Sequence, residues 1–253
     1  TQRNSGGASL TGTKTAGLYF AGSPGSGATD ASEEYDGTSW TEGNNINTGR
    51  YGLRGMGTQT AALGAGGPAP NNTVAESYDG TCWTVSTVMP AGKENGMSAG
   101  IQTNGLMFGG VPPATGDVNT FLWNGSSWSE EADMVQAKRN AAGFGLYTAA
   151  ICAGGETPGV TANTESYNGT SWTEVNNMNT SRRGLGGSGI QTLGIVYAGT
   201  TGSVTAATES WDGTSWTEVG DVATARSALA GLGTTNVGAL AIGGEPSPAT
   251  EEW

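Results

Sequence analysis

Asp36-Gly37-Thr38-Ser39-Trp40 returns unchanged at 212–216. With small changes it reads Asp-Gly-Thr-Cys-Trp at 79–83, Asn-Gly-Ser-Ser-Trp at 124–128 and Asn-Gly-Thr-Ser-Trp at 168–172. Trp40, Trp83, Trp128, Trp172 and Trp216 are therefore separated by 43, 45, 44 and 44 residues. A period of this length marks an array of supersecondary units. In each copy an Asx-Gly pair lies between an aromatic residue and a tryptophan. Asn, Asp and Gly tolerate the positive φ of a two-residue type I′ hairpin, so the pair predicts a tight bend between two strands. Asp exchanges with Asn among the copies, which favours a turn over a calcium ligand.

Two more positions keep the period. A small pair precedes each hairpin: Ala21-Gly22, Gly66-Gly67, Gly109-Gly110, Gly154-Gly155, Ala198-Gly199 and Gly243-Gly244. A basic residue opens each unit: Arg3, Arg50, Lys93, Lys138, Arg182 and Arg226, six of the ten cations in the chain. The units run at about 1–48, 49–91, 92–136, 137–180, 181–224 and 225–253. Each has room for four short strands. In the fourth unit these are expected at 139–146, 149–153, 164–167 and 171–175. A lone hairpin is marginal in water. Stacking the next unit supplies the surface its aromatic face needs. Burying a Tyr or Trp removes roughly 150–250 Å² from water, worth several kcal/mol per unit at about 25 cal/mol per Å². The aromatic positions are expected to be core.

Composition supports an all-β chain. The 253 residues include 45 Gly, only 13% are charged, and the net charge is −12. Nucleic acid and anionic membranes want a basic face, so neither is expected as a partner. No apolar run is long enough to cross a bilayer as a helix. Cys82 and Cys152 fall at different positions of the unit and read as two isolated thiols. The first residue is Thr rather than Met, as expected of a chain processed or excised from something longer.

Four-stranded units repeated radially make a propeller. The small pair after an apolar strand, Glu165–Asn168, Trp172 and the link Met178-Asn179-Thr180-Ser181-Arg182 resemble the kelch repeat, over nearly the whole chain. The resemblance implies a six-bladed kelch-type β-propeller. Trp211-Asp212 suggests the WD repeat instead. The equivalent positions hold Tyr35-Asp36, Tyr78-Asp79, Trp123-Asn124 and Tyr167-Asn168, however, and the chain has no histidine for the Gly-His partner. Two units depart from the pattern. Phe121 replaces the recurring Glu in unit three. Unit six stops at Glu251-Glu252-Trp253, so the last blade is expected to lack its outer strand, leaving an edge that a longer chain or a neighbouring subunit could pair with.

The kelch resemblance also raises the copper radical oxidases, whose metal site needs histidine. Without histidine, imidazole-based zinc and iron sites and the Ser-His-Asp arrangement are excluded as well. The carboxylates recur by register, Glu33, Glu76, Glu165, Glu209 and Glu251 in one set and Glu42, Glu174 and Glu218 in another, which reads as architecture. No enzyme activity and no cofactor is expected.

The resemblance places the basic set near the central axis, at one mouth of the channel. Two readings follow: ion pairs that orient the blades, or an anion- or peptide-binding mouth formed by Arg3, Arg50, Lys93, Lys138, Arg182 and Arg226. Variable loops at 23–30, 68–73, 111–118, 156–161, 200–205 and 245–248 are the other place for recognition. Sequons at Asn71, Asn124, Asn168 and Asn179 are weak signals, because two of them are hairpin turns.

Ser-Trp-Thr-Glu-Val and Gly-Thr-Gln-Thr-Ala-Ala-Leu segments resemble those of acidic kelch-like arrays from marine bacteriophages and their hosts. That similarity implies a structural or attachment component on a virion or cell surface, with protein partners or identical subunits completing blade six, or a surface glycan bound. A peptide-binding adaptor or a lectin-like propeller are the alternatives.

Overall fold

The computed structural model describes residues 3–8, 10–25, 27–112 and 116–253. Parts of the loops at 23–30 and 111–118 thus lie outside the described residues. The chain is all β. Blade one holds β1 (Gly7–Ala8), β2 (Gly17–Phe20), β3 (Ser32–Tyr35) and β4 (Trp40–Glu42). Blade two holds β5 (Leu53–Thr58), β6 (Ala61–Gly66), β7 (Ala75–Tyr78) and β8 (Trp83–Val85). Blade three holds β9 (Met97–Ile101), β10 (Asn104–Phe108), β11 (Thr120–Trp123) and β12 (Trp128–Glu131). Blade four holds β13 (Ala142–Leu146), β14 (Ala149–Ala153), β15 (Thr164–Tyr167) and β16 (Trp172–Val175). Blade five holds β17 (Gly186–Ile190), β18 (Leu193–Tyr197), β19 (Thr208–Trp211) and β20 (Trp216–Val219). Blade six has β21 (Ala230–Gly233), β22 (Ala239–Ile242) and β23 (Thr250–Glu252). All pairings are antiparallel between consecutive strands, and the sixth sheet has three strands.

The first strands touch in a closed circuit: β1 meets β5, β5 meets β9, and so on through β21 back to β1. The molecule is a six-bladed β-propeller. Its core is six clusters, one at each seam. At the first seam Leu18 and Phe20 of blade one pack on Ala62, Tyr78 and Trp83 of blade two. At the last, Leu232, Leu240 and Ile242 of blade six pack on Ala8, Tyr19 and Tyr35 of blade one.

Ring closure has a second source, in the backbone. The links into the first strands hold Ser5, Gly52, Asn95, Asn140, Gly184 and Ala228, all with φ between 51° and 64°. Each amide donates to the carbonyl of the residue before it in the ring: Gly52 to Ser5, Asn95 to Gly52, Asn140 to Asn95, Gly184 to Asn140, Ala228 to Gly184, and Ser5 back to Ala228, at 2.7–2.9 Å. This circle explains why the first strand of blade four starts at Ala142 rather than at 139. Asn and Gly suit the left-handed conformation, whereas Ala228 is held there at a steric cost of roughly 1–2 kcal/mol. We expect Ala228→Gly to raise stability by about 1 kcal/mol, some 2–4 °C in Tm. Ala21 and Ala198 share the conformation, at φ of 57° and 59°, but are fully buried. Glycine there sacrifices a methyl worth about 0.8 kcal/mol, so Ala198→Gly should be near neutral. Thermal melts of the two variants side by side check the comparison.

The hairpin between strands three and four differs from the type I′ expectation. Tyr35 pairs with Trp40, the Asp36 amide donates to Ser39 O at 3.2 Å, and of this pair only Gly37 has positive φ, 95°. Positive φ at Gly37 alone excludes a type I′ centre, which needs it at both residues. The Asp stands outside the bend, and its Oδ1 accepts the Thr38 and Ser39 amides, each at 2.8 Å. Asn168 does the same for Thr170 and Ser171 at 2.9 Å, which is why Asp and Asn exchange freely.

Only the Asp copies titrate. Amide donation from Ser39 and Thr38 holds the Asp36 carboxyl below its ordinary value, and Asp79 and Asp212 are lowered in the same way by Cys82 with Thr81 and by Ser215 with Thr214. A folded-state pKa below the unfolded one contributes stability above the unfolded pKa, and that contribution is lost as pH falls through the folded pKa. Amides 38, 81 and 214 should therefore lose hydrogen-exchange protection in acid, while amides 126 and 170 keep theirs. Asp79→Asn should remove the acid response at amide 81.

The five hairpin tryptophans are core with two exceptions. Trp83, Trp172 and Trp216 are buried, whereas Trp40 and Trp128 are half-buried. Each of the five pairs with the aromatic across its hairpin at 5.0–5.1 Å between ring centres. Four indoles donate to the preceding blade, for instance Trp83 to Ser32 Oγ at 3.1 Å and Trp172 to Thr120 Oγ1 at 2.9 Å. Trp40 donates to Thr250 Oγ1 at 3.0 Å across the seam between blades one and six.

Candidate functional site: the axial mouth and channel

The six periodic cations do sit on the links that enter the first strands, but not as an exposed ring. Arg3 is 1% exposed and Arg50, Lys93, Lys138, Arg182 and Arg226 are 0% exposed. Each is held by a carboxylate of its own blade. Arg3 pairs with Glu33 and Arg50 with Glu76. Lys138 pairs with Glu165 at 3.1 Å, Arg182 with Glu209 at 2.8 Å and Arg226 with Glu251 at 2.5 Å. In blade three, where Phe121 replaces the glutamate, Lys93 turns to Asp117 at 2.5 Å and lies over the Phe121 ring at 4.8 Å. Carbonyls of the small pair and of the residue before the third strand take further donors, as in Arg50 Nε to Gly66 O at 2.8 Å and Lys93 Nζ to Asn119 O at 3.0 Å. The carboxylates in turn tie down the link itself: Glu76 accepts the amides of Asn47 at 2.7 Å and Thr48 at 3.2 Å, and Glu209 those of Asn179 and Thr180. The six cations pin blade to link and offer no surface to an anion.

The residue after each cation lies on the mouth: Asn4, Tyr51, Glu94, Arg139, Arg183 and Ser227. Five of these form a bridge with the segment after the second strand: Asn4 with Ser23, Glu94 with Val111, Arg139 with Glu156, Arg183 with Thr200 and Ser227 with Glu245. This ring does not repeat chemically. Glu156 is buried and binds Arg139 Nε at 2.9 Å and Arg183 Nη1 at 2.7 Å, and accepts from Asn140 Nδ2 at 3.0 Å. Two guanidinium groups, 34% and 44% exposed, thus share one carboxylate across blades four and five. The cluster carries a net positive charge on a chain of −12. Tyr51, 37% exposed, stands on blade two, and the carboxylates Glu94 and Glu245 flank the cluster on blades three and six.

Below the mouth the channel is walled by small residues of the first strands, among them Gly6, Ala8, Gly55, Ser98, Gly143, Gly187 and Gly231, around a cavity of about 40 Å³. That admits a few waters at most and excludes a sugar or nucleotide. Arg54 enters it. Its counterparts in the other blades are Gly7, Met97, Ala142, Gly186 and Ala230. Among the described residues it is the one cation with no carboxylate within 4.0 Å; its Nη1 donates to its own Leu53 O at 3.0 Å. Desolvation lowers its guanidinium from 12.5 to about 10. A base with a lowered folded pKa costs stability while it is charged, and the cost fades as pH rises from the folded toward the unfolded value. Arg54→Met should therefore raise Tm at pH 7, by roughly 2–4 °C for about 1 kcal/mol, with the gain shrinking above pH 10.

Periodicity pointed to the six buried cations and passed over the four that break it: Lys14, Arg54, Arg139 and Arg183. The signal was present as two basic doublets, Lys138-Arg139 and Arg182-Arg183, and a second arginine four residues after Arg50. A charge absent from equivalent units is free of the scaffold's needs. Among other reactive groups, Cys82 and Cys152 are both free thiols, the second buried with its thiol pushed up to about 12.

No family model and no curated protein matches the chain. Among solved structures 278 chains resemble it. One, described as the structure of YjhT, aligns over 100% of this chain and 94% of that one, with a TM-score of 0.79 and 14% identity. At that identity the likeness is one of fold, and a fold this widely shared does not select a function. The chain is similar to YjhT as a six-bladed β-propeller, and its role rests on its own surface.

Proposed function

We propose that this chain is a binding and scaffolding propeller without chemistry of its own, a structural or attachment component displayed on a virion or cell surface. One observation carries the reading. The charges that repeat are consumed inside the blades, while unrepeated, accessible charge and an exposed aromatic gather on one face. The mouth, with Arg139, Arg183, Tyr51 and Glu94, is then the recognition surface. Its guanidinium pair keeps donors beyond those given to Glu156, in a fork suited to a carboxylate. A peptide or surface glycan bearing an acidic group is the ligand class that fits. The non-enzymatic reading is supported by the carboxylates of the periodic set: each is engaged with a cation, and Glu76, Glu165, Glu209 and Glu251 also accept link amides. The displayed-component reading draws on the Gly-Thr-Gln-Thr-Ala-Ala-Leu segment at 57–63: its Gln59 donates to Tyr35 O of the preceding blade at 3.1 Å, so the segment that resembles phage arrays serves to lock blades into a rigid ring.

The test is a pair of arrays, one of acidic and neutral glycans and one of peptides with and without carboxylates. Carboxylate-bearing probes should bind, and Arg139→Ala with Arg183→Ala should weaken them tenfold or more, as the loss of a bidentate contact implies. Absence of any bound probe, or binding that the double variant leaves intact, would refute the mouth as the site.

A further inference from the structure

Arg54, on β5, stands apart from the other nine cations, each of which lies within 4.0 Å of a carboxylate. The residues outside those described, 1, 2, 9, 26 and 113–115, include no Asp or Glu that could serve it. Its side chain enters the axial chamber, where it is the one charge on the wall. The one side-chain hydroxyl there, Ser98 Oγ, is committed to Gly55 O at 2.9 Å. A guanidinium carries five N–H donors. Among the described residues Arg54 has one protein acceptor, Leu53 O, at 3.0 Å. Burial draws the guanidinium down to about 10, which still leaves it protonated at pH 7. A charge withdrawn from water without a counter-charge is costly, and the fold supplies none.

We propose that the axial chamber is a binding site for a small inorganic monoanion, a halide of chloride's size, held by the Arg54 guanidinium. Size selects the class. The chamber of about 40 Å³ holds a particle comparable to a water molecule, and it leaves no room for a tetrahedral oxyanion or an organic acid. Charge supplies the route. Ala141 and Leu185 line the chamber and follow Arg139 and Arg183 by two residues. The cationic cluster of the mouth therefore stands over the chamber wall. On a chain of net charge −12, that local positive field favours entry of an anion at this end of the axis. The site is separate from the mouth: the mouth takes an acidic group of a large ligand at the surface, and the chamber takes a free ion beneath it. With the ion seated, the stranded charge is neutralised and the axis is plugged.

Thermal melts of the whole chain at pH 7, in sodium chloride and in sodium gluconate of equal ionic strength, test this. Gluconate matches the screening of surface charge but is too large for the chamber. Chloride should raise Tm saturably, by about 3–6 °C over gluconate at ten times its dissociation constant. Arg54→Met should melt at the same temperature in both salts. Its advantage over the parent at pH 7 then belongs to gluconate, and chloride should close or reverse it. The mouth variant with Arg139→Ala and Arg183→Ala should keep the chloride shift at saturation, so failure in the chamber and failure at the mouth are told apart. Crystals of the parent soaked in sodium bromide locate the ion directly, and decide the matter if Arg54→Met does not fold. An anomalous peak beside the Arg54 guanidinium is expected. Equal Tm of the parent in the two salts, a chloride shift that Arg54→Met retains, or a bromide map empty in the chamber would overturn the proposal.

Discussion

Glu76→Ala should lower the stability of the propeller by about 4 kcal/mol, and Arg50→Ala by a similar amount. Both side chains are 0% exposed. Removing the carboxylate leaves a guanidinium buried with only carbonyl partners, Gly66 O at 2.8 Å and Thr48 O at 2.9 Å. It also takes the acceptor from the Asn47 and Thr48 amides, at an exposed and a half-buried residue, while the Asn47 side chain keeps Trp83 O at 3.0 Å. Breaking a buried pair by removing one partner costs roughly 3–5 kcal/mol, because the other charge stays buried and uncompensated. At this chain length the loss corresponds to some 8–16 °C in Tm. The double variant should cost about 2 kcal/mol less than the sum of the two, because the second change removes the group the first one stranded. Lys14–Glu252, at 3.8 Å with both partners about half exposed, is the contrast: Lys14→Ala should fall within about 0.5 kcal/mol of the parent. Urea unfolding of the four variants measures all of this. A loss below about 1 kcal/mol for Glu76→Ala would mean that the periodic ion pairs are not what pins the links.

That contrast marks what could be read before the fold was known. Spacing fixes where a residue lies in its blade, so blade number, strand order, the open sixth sheet and the shared register of cations and carboxylates were all legible. Depth was not. A cation recurring every 44 residues or so reads equally as an exposed ring or a buried one, and the choice depends on how closely the links approach the small pair. Blade three holds a clue that was visible but unreadable: Phe121 stands where glutamate recurs, and Asp117, upstream in the same unit, supplies the missing carboxylate to Lys93. The hairpin was placed correctly and its turn type misjudged, because Asx-Gly suits a type I′ centre as well as an Asx cap followed by a glycine-first bend. Arg54, Arg139 and Arg183 went unnoticed because a search for periodicity suppresses what occurs once. In a repeat protein the repeated residues build the scaffold, and specificity is expected among the exceptions.

Gly189→Ala is the second large effect, for a cause that has nothing to do with charge. Gly189 has φ of +121°, beyond the left-handed region that Asn or Ala can occupy. A Cβ built there lies 2.3 Å from Leu193 O and 2.7 Å from Gly194 Cα, both in the strand it pairs with. The clash is with backbone, so no rotamer relieves it. A forbidden φ costs roughly 1–3 kcal/mol and an overpacked contact about as much again, for a total of about 3–5 kcal/mol. Glycine holds this register in blades two to six, at Gly57, Gly100, Gly145, Gly189 and Gly233, each with φ of 100° or more. Blade one carries Leu10 there. Gly159→Ala is the control, since nothing lies within 4 Å of its added Cβ and its φ is ordinary, so it should change stability by less than about 0.5 kcal/mol. If Gly189→Ala unfolded as late in urea as Gly159→Ala, the tight hairpins between first and second strands would have to be looser than drawn, and the narrow channel they wall would be open to revision with them.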